Sequence, residues 1–156
     1  MGESKFFTQF RELRNQTIAW ADTTPRDIID IVPEGMNNSI RWNLGHILVA
    51  WDNGIFPKIS EHRRVPQSYY DLFRKGTSPY TWTEEPPSYI EIVSRLQAQT
   101  EEIILASDGK LNDPIAESFL RVKFVRGMFL FHLREEQHHL DCMKRIRKAA
   151  LKATSA

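Results

Sequence analysis

Residues 124–146 read FVRGMFLFHLREEQHHLDCMKRI, and the fold turns on how this stretch is laid on a helix. At about 100° per residue, Phe124, Met128, Phe131, Glu135, His139, Cys142 and Ile146 fall within one narrow arc. Glu135 and His139 therefore interrupt an apolar stripe that points toward a core. A buried carboxylate and imidazole are costly unless paired or coordinated, so the stripe carries either a private Glu–His pair or part of a metal site. A second line, Val122, Phe129, Leu133 and Leu140, lies roughly opposite. It faces either another helix of the same molecule or a second copy of the chain, which makes a homodimer one of the expected arrangements.

The third ligand that would distinguish a metal site from a pair is found upstream, in residues 38–51, NSIRWNLGHILVAW. Asn38 or Ser39 is the expected N-cap, and Ile40, Leu44, Ile47, Leu48, Trp51 and Ile55 give the segment a helical apolar face. His46 is then enclosed by protein. Imidazole, carboxylate and imidazole from His46, Glu135 and His139 form a sound three-ligand set for a divalent ion, with positions left open for water or substrate.

The 156 residues suffice for one domain, 1–156, with one substantial core. A net charge of +1 supplies no field to draw nucleic acid from a distance. The cations Lys144, Arg145, Arg147, Lys148 and Lys152 read instead as the solvated end of a helix, where they complement its dipole. One cysteine cannot form an intrachain disulfide, no apolar run has the length of a membrane span, and the first residues lack a signal-peptide core. The expected compartment is the cytoplasm, with no nucleic-acid or membrane partner.

Helical periodicity recurs in three further places and strand alternation in none. Phe6, Phe10, Leu13, Thr17 and Trp20 mark a first helix over residues 4–22, with a short helical turn to follow at 25–31. The His46 helix should end near Pro57, and a third long helix, with Tyr89, Val93, Leu96, Thr100 and Ile103 as its stripe, runs from Ser88 to Asp108-Gly109. The last begins between Leu120 and Gly127. Between Pro57 and Pro87 lies an irregular, aromatic-rich stretch, either a crossover wrapped over the helices or a lid. The expected fold is all-α, a four-helix bundle with a long crossover between its second and third helices.

His132 and His138 flank Glu135 by about 60° on either side and read as boundary residues, with a supporting donor or a substrate contact as the alternative. Glu136 and His138 are expected near the mouth of the site, without catalytic roles. His62, beside Arg63 and Arg64, should face solvent. Cys142 reads as a small apolar residue rather than a reactive thiolate. Phosphate loops, serine elbows and Cys-x-x-Cys pairs are absent from the sequence, which argues against phosphoryl transfer and serine-hydrolase chemistry.

Three segments carry a resemblance: 38–47 (NSIRWNLGHI), 73–79 (FRKGTSP) and 130–140 (LFHLREEQHHL). In this order they resemble the motifs of the DinB/YfiT-like proteins. The resemblance implies a four-helix bundle holding a divalent metal, often zinc or nickel, with three side chains from the second and last long helices. The commonest triad in that family is three histidines, the last two spaced His-x-x-x-His; here Glu135 stands at the first position of that pair. The resulting His, Glu, His set resembles that of mycothiol-dependent maleylpyruvate isomerase relatives. Several branches of the family act through a low-molecular-weight thiol.

The resulting expectation is a metalloprotein that activates a thiol or water toward a small-molecule electrophile, as a thiol S-transferase or, second, a hydrolase. Two rivals stand beside it. A two-histidine, one-carboxylate set also suits a non-haem iron enzyme. A non-catalytic, small-molecule or stress-related binding bundle would need Glu135 and His139 only as a structural pair.

Overall fold

The computed structural model describes residues 2–155. Five helices organise them: α1 (Glu3–Asp22), α2 (Ile40–Ile55), α3 (Gln67–Phe73), α4 (Tyr89–Ser107) and α5 (Val125–Thr154). Among the described residues there is no strand, only an isolated bridge between Pro114 and Phe124. The four long helices pack in the cyclic order α1, α4, α2, α5, and α3 lies on α2. Phe10 of α1, Trp51 of α2 and Phe129 of α5 meet at the centre, with Phe10 stacked on Trp51 at 4.2 Å between ring centroids. Each such side chain contributes roughly 1.5–3 kcal/mol or more by leaving water.

Local signals set the helix ends. Ser39 accepts the Trp42 N–H at 3.1 Å and starts α2, while Ser88 accepts the Glu91 N–H at 3.1 Å and starts α4. Past the end of α4, Gly109 turns the chain at φ +76°, in the left-handed region glycine tolerates best. Pro25 precedes a 3₁₀ turn at Arg26–Ile28, shorter than the helical turn expected over 25–31.

The crossover is less irregular than its composition suggests. It contains α3 and is pinned to α2 at several points: Asp52 accepts from Arg64 N, Val65 N and the Tyr70 hydroxyl at 2.9, 3.2 and 2.6 Å. Trp42 donates its indole N–H to Thr77 at 2.9 Å. Gly45 makes the close approach possible, because a Cβ there would stand 2.4 Å from Cγ of the Phe73 ring. This contact delivers the end of α3 to His46.

The rotation of α5 differs from the sequence expectation. Its buried residues include Val125, Met128, Phe129, His132, Glu136 and Met143. Set on a helical wheel, they and the other buried positions cover about 140°, with Glu136 near the centre and Glu135 about 100° to one side. The stripe through Glu135 is one border of the buried arc, and the Phe129–Leu140 line is near the other. That second line packs inside the molecule, where Phe129 meets Phe7 and Phe10 of α1.

Glu136 was expected at the mouth of the site and is instead enclosed, because a cation from α1 awaits it. Arg14 and Glu136 both have fully buried side chains 2.9 Å apart. Thr17 adds a hydrogen bond to the carboxylate at 2.8 Å. The remaining Arg14 donors reach the Leu96 carbonyl and Gln99 at 2.8 and 3.1 Å, so the buried pair is satisfied on all sides.

Candidate metal centre

Turning Glu136 inward leaves Glu135 and His139 on the α5 flank that faces α2. His139 comes against His46, with ring centroids 4.7 Å apart. Trp42 stacks on His46 at 4.7 Å and 10° between planes, and its ring also lies 6.3 Å from that of His139. The His139 side chain is 14% exposed and that of Glu135 is 44% exposed, so the cluster sits at the edge of the core and opens outward.

Hydrogen bonding fixes the tautomer of both rings. His46 Nδ1 lies 2.7 Å from the Phe73 carbonyl oxygen, which can only accept, so Nδ1 carries the proton. His139 Nδ1 lies 2.9 Å from Asn43 Oδ1. Asn43 spends its amide donor on the Ser39 carbonyl at 2.8 Å, which presents its oxygen to His139. Both Nε2 atoms are left with a lone pair, the arrangement that metal-bound histidines use. Burial lowers the pKa of His46, against the opposing hydrogen bond to Phe73. Burial, with the charges of His46 and His138 added, lowers His139 to about 3. Near neutral pH both rings are free bases.

Glu135 is less firmly placed. Its Oε2 stands 3.9 Å from His139 Nε2, too far for a hydrogen bond, so the i, i+4 couple is not a closed pair. Among the described residues no three His, Cys, Asp or Glu side chains form a ready-made metal cage. Donors sharing one tetrahedral ion at about 2.1 Å stand about 3.4 Å apart, so the observed separation is within a side-chain rotation of that geometry. The donor chemistry fits a divalent ion: two neutral imidazoles oriented through Nδ1, and one carboxylate that, among the described residues, has no ion pair with a lysine or arginine.

The other candidates divide. His138 is exposed, with its ring edge against His139 at 5.2 Å, and His62 is exposed as expected. Cys142 lies one turn beyond His139, half-buried beside His138 and Arg145 and away from the cavity lining. His132 is not a boundary residue. It is 6% exposed, packed against Trp51, and neither ring nitrogen has a hydrogen-bond partner. Burial lowers its pKa to about 3. Gly54 on α2 makes the room, since a Cβ there would stand 1.9 Å from His132 Nε2.

Sequence reasoning did not single out Asn43 or the Phe73 carbonyl. The first had a signal, a polar residue one turn before His46 and on the inner side of α2; a carbonyl has none.

His46, His132, Glu135, His138 and His139 line a cavity of about 800 Å³, whose wall also includes Phe131, Arg63, Arg74 and Lys75. The site is therefore a set of histidine and carboxylate side chains lining a cavity in an all-α bundle. The DinB superfamily profile matches residues 9–143, and the chain belongs to that superfamily. No curated protein matches the chain.

Proposed function

We propose that His46, Glu135 and His139 hold a divalent ion and that the protein is a metal-dependent thiol S-transferase acting on a small electrophile, with hydrolysis as the second reading. The observation that carries this is the shared tautomer of His46 and His139, each tied through Nδ1 with Nε2 left free. A divalent ion, when bound, lowers the pKa of a coordinated thiol or water and so supplies a nucleophile at neutral pH.

The chain's own groups do the rest. Phe73 and Asn43 hold the two rings in the basic tautomer, and Trp42 keeps the His46 ring from turning. Glu135 brings one negative charge, which offsets half that of a dication. Phe131 and Phe119, edge to face at 5.0 Å, form an apolar wall that keeps water from one side of the cavity.

Metal titration of Glu135 variants tests the ligand set, because the charge and the donor type can be separated there. Glu135→Gln keeps the shape and loses the charge, and should weaken affinity for zinc. Glu135→His restores the commoner three-histidine set at the same spacing and should retain it. Glu135→Gln binding as tightly as the wild type, while His46→Ala does not, would place Glu135 outside the coordination sphere. Thiol consumption with a small electrophile, with and without chelator, tests the reaction: no metal-dependent turnover with any thiol rejects the transferase reading.

A further inference from the structure

Beyond His46, Glu135 and His139, the residues that line the cavity have no role in holding a metal, yet the lining is specific. Arg63, Arg74 and Lys75 come from the crossover, line the cavity and are exposed. Among the described residues, none of the three is paired with a carboxylate. Arg63 lies over the Tyr70 ring at 4.2 Å and Arg74 caps α3, so both bases of attachment are fixed. Glu135 is the only acidic residue in the lining.

The lining also has an apolar part. Val49, Ala50 and Phe131 come from the helices, and Phe119 and Leu120 from the loop between α4 and α5. That loop is anchored by the Ala116 N–H to the Lys58 carbonyl at 2.9 Å, and Lys58 lies over the Phe119 ring at 5.5 Å. Leu120 is 80% exposed and has φ +45°, a left-handed conformation that a leucine adopts only at a cost. The loop thus holds an apolar side chain at the cavity edge, exposed to water. His132, nine-tenths buried in the same lining, keeps both ring nitrogens free of protein partners. A cavity that only filled space would not keep a buried imidazole unsatisfied.

We propose that this cavity takes a small organic anion, its apolar body against Phe119, Leu120 and Phe131 and its acidic group among Arg63, Arg74 and Lys75. A volume of about 800 Å³ suits a molecule of drug-like size. Guanidinium groups favour planar acidic groups, which they bind with two parallel hydrogen bonds. The orientation, with the reacting end toward His46 and His139, rests on the metal-site reading; the preference for an anion does not.

Three probes of one shape test the preference: 4-phenylbutyrate, 4-phenyl-1-butanol and 4-phenylbutylamine, titrated calorimetrically into chelator-treated and zinc-loaded protein. Three exposed cations acting together should favour the butyrate over the alcohol by about tenfold, with the amine weakest. The preference should be present in both forms, shrink in high salt and vanish in the triple variant Arg63→Gln, Arg74→Gln, Lys75→Gln with an unchanged circular dichroism spectrum. Equal binding of the three probes, no binding of any at millimolar concentration, or a preference that survives the triple substitution overturns the proposal. A preference seen only with zinc also overturns it, since the metal would then be holding the anion. Failure to bind zinc, with the preference intact in the chelated protein, would defeat the metal reading and leave this one standing.

Discussion

Substituting Glu136 with glutamine tests whether the Arg14–Glu136 pair sets the rotation of α5. Arg14 has no exposed side-chain surface, and Glu136 takes its Nε and Nη2 donors. Glutamine keeps the volume and one acceptor but leaves the guanidinium charge uncompensated inside the bundle. Breaking a buried pair from one side costs about 3–5 kcal/mol, because the surviving charge has lost its partner and cannot regain water. For a chain of this length that corresponds to a fall in Tm of roughly 6–20 °C. Urea unfolding followed by circular dichroism measures it directly. The double variant Arg14→Met, Glu136→Leu removes both charges and should recover at least half the loss. A cost under about 1 kcal/mol for Glu136→Gln would refute the reasoning, since an exposed pair behaves that way. So would a double variant as unstable as the single one.

Other expectations follow from the cavity floor. Gly54→Ala drives a Cβ into His132 and should destabilise the protein by about 1–3 kcal/mol in the same urea assay, whereas Gly2→Ala, with open space around it, should be near neutral. His132 is held at about 3, against 6.5 for a free imidazole, so the unfolded chain binds its proton first as the pH falls. Its contribution is complete above about pH 6.5 and is lost progressively toward pH 3, with about 2 kcal/mol gone by pH 5. In chelator-treated protein, His132→Phe should flatten the difference in unfolding free energy between pH 7 and pH 5 by about that amount. An unchanged slope would mean that His132 is not buried as the neutral base.

The sequence made the helices readable and left their rotation ambiguous. Ser39, Ser88 and the Asp108-Gly109 stop bounded α2 and α4 through local chemistry, which needs no knowledge of the rest of the chain. On α5 two apolar lines border the buried arc, and taking the line through Glu135 as its centre puts Glu136 about 100° away, near the surface. Only Arg14, 122 residues away, decides that Glu136 goes in. His46, Glu135 and His139 were still brought to one region, because the border of the arc is where α5 meets α2. His132 was misplaced for the same reason as Glu136. Nor did the pattern expose α3, whose seven residues are too few for a clear period and whose seat depends on Gly45.

His46 and His139, with Glu135, are proposed to make one metal site. Elemental analysis of untagged protein, beside the double variant His46→Ala, His139→Ala, tests it most directly. About one divalent ion per chain in the wild type and almost none in the variant is the predicted result, with loss well beyond the roughly 10- to 100-fold that disturbing a supporting residue causes. Equal occupancy in the two proteins, or a wild type that cannot be loaded with zinc, nickel or iron, would contradict it.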